Sequence, residues 1–367
     1  MASNLIYHGT KTNASEVATF LSHMIDVNSQ AEAQGQKRVP LCIWGKHGIG
    51  KTELVEHFAR EHHMGWVYIA PAQFEEMGDL VGMPQIKDGV TEFAAPEWVP
   101  VEEGPGILLI DDVNRADDRI LRGIMQLLQN YELVSWKLPP KWHIVMTANP
   151  DGGDYSVTPM DDAMLTRMMH VTMEFDVKEW ARWAEANDVD QRGINFILTY
   201  PEIVTGNRTT PRTLVQFFES ITRIPDLEAQ SGLVQILGDS CLDPETVSAF
   251  MAFVANKLTK LATPEEIVNA QDFQKQVDLP LQEIVLQRTV RVDILSTLAT
   301  RLVNYLTLSG IAPDKLQLEN IKSFIKLEYL PNDIRMVLAK DLVASSNQKL
   351  KVIMADQEIS RLLLTGM

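Results

Sequence analysis

Cysteine is scarce in this chain: Cys42 and Cys241 are the only two in 367 residues, and they lie far apart. That excludes a disulfide framework and fits a reducing compartment. Cys42 sits inside the apolar run VPLCIWG and is expected to pack as a small hydrophobe. Long apolar runs are missing too. None approaches the roughly 18–20 residues needed to span a bilayer, so no membrane segment is expected. The opening stretch MASNLIYHGTKTNASE lacks the charged-then-apolar pattern of a secretory signal, and a cytoplasmic location is expected. Basic charge is in short supply: 33 Lys and Arg stand against 49 Asp and Glu, a net charge of −16. Bulk electrostatic binding of nucleic acid rests on Lys and Arg neutralising phosphates. That class is therefore disfavoured, although a local basic channel inside an assembly stays open. Acidity otherwise favours protein partners. Internal repeats and low-complexity tracts are also lacking.

What remains is an ordinary globular composition, 45% apolar and 22% charged, long enough for two or three domains. Residues 1–37 read as a lead-in helix, with Val17, Phe20, Leu21 and Ile25 at helical spacing and Ser15 as a cap. From 38 to 175, β-prone runs (38–44, 66–70, 107–111, 141–149, 168–175) alternate with helical ones (52–64, 118–133). Such alternation predicts an α/β domain, a parallel sheet with helices on both faces. Beyond Phe175 the pattern is helical. Thr210–Pro211 and Asp243–Pro244 each pair a capping residue with Pro at the first helical position. Ile294, Leu295, Leu298, Leu302 and Leu306 mark the buried face of a helix that Gly310 is expected to end. The predicted division is 38–175 as core, 176–263 as a helical region, and 264–367 as a further helical region of unassigned role.

The stretch GKHGIGKT, Gly45-Lys46-His47-Gly48-Ile49-Gly50-Lys51-Thr52, joins the first predicted core strand to the helix after it. Glycines let successive backbone N–H groups curl inward around phosphate oxygens, and the helix N-terminus adds partial positive charge. Lys51 then reaches the β- and γ-phosphates, and the Thr52 hydroxyl is placed to ligate Mg²⁺. Downstream, ILLIDDVNRAD carries four aliphatic residues straight into Asp111 and Asp112. Two carboxylates at one buried strand end repel each other unless a cation lies beside them. Magnesium and Lys51 supply it: Asp111 can hold the ion through water, and Asp112 can orient or deprotonate an attacking water. Without the phosphate loop, the same acid pair reads equally well as a helix N-cap. His57, His62 and His63 complete no metal-ligand set.

The phosphate loop, ILLIDDVNRA, IVMTANP, AMLTRM and TPRTL occur in the order and spacing of the AAA+ ATPases. Within them the chain resembles the MoxR-like, dynein-related branch, over about residues 38–262. The resemblance implies an α/β P-loop core followed by a helical lid, and ATP with Mg²⁺ as cofactors. Asn149 resembles the sensor that positions the hydrolytic water, although by the residues alone it is also a turn-forming Asn before Pro150. Arg167 resembles the arginine finger that reaches a neighbouring subunit's nucleotide, with Arg115 as the rival. Arg212 resembles the second sensor, contributed by the lid. A trans-acting arginine implies a ring, and the branch implies six subunits. Residues 74–100 resemble the stretch that in this branch carries a helix and an inserted hairpin facing the central pore, and residues 131–146 look like a hairpin leading into the strand before Asn149; both are expected client-contacting elements, with Met83, Phe93 and Trp98 as candidate contacts. One departure stands out: the branch usually has Glu where this chain has Asp112. Two readings of the shorter carboxylate follow: a catalytic base, or a mark of slow hydrolysis.

Three functions follow from these features. The first is an ATP-driven remodeller of a protein client, with a von Willebrand-type protein as the candidate partner. The second is a nucleic-acid motor, and the third is a slow nucleotide-dependent scaffold.

Overall fold

A computed structural model describes residues 6–150, 157–205, 207–256, 258, 261–286, 290–308, 313–345, 348–351, 353 and 356–364. The chain divides into two units, Met1–Asp176 and Val177–Met367.

The first unit runs β1 (Thr10–Thr12), α1 (Ala14–Ala33), β2 (Leu41–Trp44), α2 (Lys51–Glu61), β3 (Gly65–Ile69), α3 (Met77–Val81), β4 (Met83–Lys87), β5 (Val90–Ala94), β6 (Gly106–Ile110), α4 (Asp118–Asn130), β7 (Glu132–Leu133), β8 (Trp136–Lys137), β9 (Trp142–Ala148), α5 (Asp162–Leu165) and β10 (Met169–Met173). Six strands form one sheet in the order β1-β10-β2-β9-β6-β3, and every pairing is parallel. All residues of β6 and β9 are buried, as expected of strands covered on both faces. Alternate residues of one strand face opposite layers. Leu41, Ile43, Ile107, Leu109 and Val145 pack with Val17 and Leu21 of α1 and Val55 and Phe58 of α2. Trp44, Leu108, Ile110, Ile144 and Met146 pack with Ile120, Ile124 and Leu127 of α4. Each such side chain, fully buried, contributes roughly 1.5–3 kcal/mol. Cys42 is fully buried in the second of these layers.

Two local readings change. Strand β1 was legible only as part of a lead-in; it adds an edge strand by pairing with β10. Helix α1 is capped by Asn13, which forms a capping box with Glu16, whereas Ser15 lies inside the helix and donates to Asn13 Oδ1 at 2.9 Å. The two hairpins form as expected. Asp88 and Gly89 both have positive φ (52° and 78°) at the β4–β5 turn, the geometry that matches strand twist.

The second unit contains α6 (Val177–Ala186), α7 (Gln191–Thr199), α8 (Pro211–Ile221), α9 (Ser231–Cys241), α10 (Pro244–Ala255), α11 (Pro264–Asn269), α12 (Leu279–Val285), α13 (Val292–Leu308), α14 (Lys315–Ile325), α15 (Asn332–Ala344), α16 (Gln348–Lys351) and α17 (Gln357–Leu364). Phe250 meets Phe196 and Phe217 edge-on, each with ring centroids 4.9 Å apart. Arg301, 2% exposed, donates to Glu185 Oε1 at 3.2 Å and Asn195 Oδ1 at 2.8 Å. Thr210 caps α8 as predicted, in a capping box with Thr213. Asp243 precedes α10 but makes no side-chain cap; its carboxylate accepts from the Arg208 and Thr209 amides instead, at 3.1 and 2.8 Å. The run TPEEIVNAQDFQKQV is not one helix. It breaks after Asn269, where Asn320 Nδ2 donates to the carbonyls of Val268 and Ala270, both at 2.8 Å. The predicted buried face of α13 is buried, and Gly310 lies outside the described residues.

Candidate functional site

Parallel strands all end at the same edge, and ligands of such sheets bind there. Trp44 is in register with Ala148, and Ile110 with Met146. The ends of β2, β9 and β6 therefore lie side by side, and each carries a different part of the predicted chemistry.

The end of β2 becomes the loop Gly45–Gly50. Gly48 and Gly50 have φ of 69° and 93°, left-handed conformations that glycine takes at no steric cost. Gly45 is needed for a different reason. A Cβ there would lie 2.7 Å from both the Met173 carbonyl oxygen and Ile49 Cδ1. Helix α2 starts at Lys51 directly after Gly50, so its unpaired N–H groups open onto the loop. Lys46 is exposed, while His47, Gly48, Ile49 and Gly50 are partly exposed.

Lys51 is 6% exposed. Its ammonium donates to the Gly45 and Lys46 carbonyls at 2.7 and 3.0 Å and to Asn149 Oδ1 at 3.3 Å. A buried cation is thus held by three oxygen acceptors at the strand ends. Thr52 Oγ1 donates to Asp111 Oδ1 at 2.7 Å. Thr147 Oγ1 donates to the same oxygen at 2.6 Å, and Tyr68 OH donates to Asp111 Oδ2 at 3.2 Å.

Asp112 stands apart from its neighbour. Its backbone is left-handed, φ 47° and ψ 45°, a conformation that costs a non-glycine residue of order 1 kcal/mol or more and gathers at functional sites. Its amide donates to Thr147 Oγ1 at 2.8 Å. Its Oδ1 accepts from Asn149 Nδ2 at 2.9 Å, and Oδ2 lies 3.3 Å from Arg115 Nε. Asp112 precedes the short turn Val113–Arg115 without a side-chain capping bond, and Asp117 is the residue whose side chain caps α4. Asn149 is fully buried and is itself clamped. Its carbonyl accepts from Asn114 Nδ2 at 2.8 Å, and its amide donates to Asn114 Oδ1 at 3.1 Å.

The donor set suits magnesium: a hydroxyl and a carboxylate in direct contact, all oxygen, with no nitrogen or sulfur. Mg²⁺ takes few protein ligands and completes its shell with water and phosphate. Among the described residues no cluster of three or more His, Cys, Asp or Glu could hold a metal by itself.

The remaining predicted residues lie elsewhere. Arg167 follows α5 and donates through Nη1 to the Ala163 carbonyl. Arg115 pairs with Asp112 in its own chain. Arg212 is exposed at the second position of α8, in the second unit. Of the candidate client contacts, Met83 is 70% exposed. Phe93 and Trp98 instead pack against the core, and Trp98 meets Trp136 edge-on at 5.3 Å. Three residues were missed by sequence reasoning. Tyr68 carries no local signal at all. Thr147 sits two positions before Asn149 on β9, and Asn114 two after Asp112, so each was placed by motif but given no role.

Residues 40–168 match the model of the AAA domain family, dynein-related subfamily. An ATP-dependent protease ATP-binding subunit-like protein of Rhodococcus erythropolis is 35% identical over 103 residues, covering 25% of this chain and 29% of the relative. The chain thus spans under a third of that relative's length. A solved mutant of Thermotoga maritima RuvB is 14% identical, with a TM-score of 0.39, covering 92% of this chain and 86% of its own. The closed-state Hsp104 reconstruction with casein is 15% identical, with a TM-score of 0.39, covering 59% and 46%. Likenesses this distant carry no functional reading. No described helix is long and apolar enough to cross a membrane. The phosphate loop and strands β2, β3, β6 and β9 of the parallel sheet lie within the stretch, residues 40–168, that is similar to the AAA domain family, dynein-related subfamily.

Proposed function

We propose that this chain is a MoxR-like, ring-forming ATPase that binds and hydrolyses Mg-ATP and uses the cycle to remodel, activate or assemble a protein client. The observation that carries the reading is the meeting of Lys51, Thr52, Asp111, Asp112 and Asn149 from three separate strand ends within hydrogen-bonding distance. The amides of residues 45–52 cradle the phosphates, and Lys51 turns from its carbonyl partners to the β- and γ-oxygens. Thr52 and Asp111 would hold magnesium, which would supply positive charge beside the phosphates. Asp112 accepts the proton of the attacking water, and Asn149 fixes both the carboxylate and that water. Arg167 reaches the nucleotide of the neighbouring subunit, where it stabilises charge on the transferring group. Arg212 senses the nucleotide from a lid formed by residues 176–263. Residues 264–367, the ring of six, the cytoplasmic setting and a von Willebrand-type partner belong to the same proposal. The exposed Met83, Ile86 and Val90 on the β4–β5 hairpin, together with the −16 charge, favour a protein client over nucleic acid.

A second reading has its own observation. The Asp112–Arg115 pair, at 3.3 Å, occupies a carboxylate oxygen that a general base would need, which favours a slow, nucleotide-dependent scaffold. ATP turnover by the purified chain decides between them. Measurable turnover that Lys51→Ala abolishes supports the ATPase; binding without turnover supports the scaffold. Mixing Lys51→Ala with Arg167→Ala subunits should restore partial activity if sites are shared. Strong stimulation by single-stranded or duplex DNA would overturn the protein-client reading.

A further inference from the structure

His170 lies on β10, opposite Cys42 of β2, between the phosphate-loop strand and the segment that carries Arg167. Both of its ring nitrogens are engaged. Trp44 Nε1 donates to His170 Nδ1 at 3.0 Å. Indole nitrogen can only donate, so Nδ1 must present its lone pair. The proton then sits on Nε2, which donates to the Leu165 carbonyl at 2.8 Å. These two partners determine the tautomer: a neutral ring, with no room for a second proton on Nδ1. Burial holds the imidazole below the usual histidine pKa, and the nearby His8 acts in the same direction, its ring centroid 5.5 Å away.

The two partners are not arbitrary. Trp44, fully buried, is the last residue of β2; next comes Gly45, whose carbonyl receives the Lys51 ammonium. Leu165 is the last residue of α5, a helix of four residues that cannot hold its own geometry, and Arg167 follows two positions later. We infer that His170 is a positioning residue that ties the turn bearing Arg167 to the phosphate-loop strand, so that the arginine is set by the same strand that grips the phosphates. The inference rests on the proposed role of Arg167 in turnover.

The test is a double-mutant cycle on ATP turnover by the full chain, with kcat and KM separated. His170→Phe should lower kcat about 10–100-fold, as expected when a group that must meet the transition state is misplaced by an ångström or so, with KM for ATP little changed. Arg167→Ala should lower kcat at least as far, and the double variant should be no slower than Arg167→Ala alone. His170→Gln keeps one acceptor and one donor, and should recover part of the loss. It also serves as the readout if the Phe variant does not fold. Trp44→Phe removes the indole N–H donor together with part of a fully buried ring; read as kcat of the folded variant, it should fall between wild type and His170→Phe. If Arg167→Ala loses activity but the two losses multiply in the double variant, His170 acts through packing and the inference is overturned. A rise in KM with kcat unchanged overturns it as well. If Arg167→Ala leaves turnover intact, the finger reading itself fails and takes this inference with it.

Discussion

Thr147 Oγ1 is one atom with two duties: it accepts the Asp112 amide and donates to the Asp111 carboxylate, at 2.8 and 2.6 Å. It thereby holds the strained turn between the two acids. Replacing it with Val keeps the β-branched shape but leaves both groups without that partner, and such unmet hydrogen bonds cost roughly 1–3 kcal/mol each when buried. Thr147→Val is expected to lower turnover about 10-fold, since 1.36 kcal/mol corresponds to tenfold in rate; Thr147→Ser should stay near wild type. A steady-state ATPase assay distinguishes them, and equal losses in both would remove the hydroxyl from the account. Asp112→Asn is a sharper change. It keeps the side chain's size and removes its ability to take a proton, so kcat should fall by about 10²–10⁴ while nucleotide affinity, measured by titration calorimetry, is retained. Unchanged turnover would mean that Asp112 is not the base.

At the scale of elements, the contrast between the β4–β5 hairpin and α3 is instructive. The hairpin's apolar side chains are exposed: Ile86 84% and Val90 62%. They add little to folding, so Ile86→Ser and Val90→Ser should each change stability by less than about 0.5 kcal/mol. Helix α3, by contrast, lies hard against α4. A Cβ on Gly123 would come within 2.6 Å of Leu80 Cδ2 and 2.8 Å of Met77 Cε. Gly123→Val should therefore destabilise the first unit by about 1–3 kcal/mol through overpacking, read by urea denaturation. A stable Gly123→Val variant would show that α3 can be displaced freely. Sequence periodicity identifies α4 and the hairpin turn, but a glycine inside a helical pattern does not say which neighbour requires it.

Over the whole molecule, stability depends on buried polar groups in each unit. His143 on β9 is 2% exposed, and its Nδ1 has no hydrogen-bond partner among the described residues. Burial first, and the Arg38 charge second, push its pKa down to about 4 from 6.5. The unfolded chain thus binds the proton more readily between those values, and stability rises with pH across the window. The contribution is complete above about pH 6.5 and is lost as pH falls towards 4, and at 1.36 kcal/mol per unit its full size is about 3 kcal/mol. Between pH 7.5 and 5, wild type should lose about 2 kcal/mol more than His143→Leu; parallel pH profiles would overturn this. In the helical unit, Arg301→Ala would leave Glu185 buried without its cation and should cost roughly 3–5 kcal/mol by chemical denaturation.

The sequence by itself determined what local chemistry can specify. Near-continuous apolar runs at β2, β6 and β9, alternating along the chain with helical segments, specified a parallel sheet covered on both faces, because successive side chains point to opposite sides and both sides are buried. The glycines, Lys51 and Thr52 specified a phosphate loop, because few other residues permit that backbone and that charge. The caps at Thr210 and the buried face of α13 were legible for the same reason. Tertiary structure alone decided the rest. The short β1 became a strand only because β10 offered it an edge. The helix after Thr263 ended at Asn269 because Asn320, some fifty residues away, takes its carbonyls. Phe93 and Trp98 pack against the core, where Trp98 meets Trp136 of β8 edge-on. At the site, motif spacing named Asp111, Asp112 and Asn149, but their mutual distances, the hold of Thr147 and Tyr68, and the two-sided hydrogen bonding of His170 arise only where separate strands end side by side. Hydrogen bonds between residues distant in sequence leave no period and no motif, and so are visible only in the folded chain.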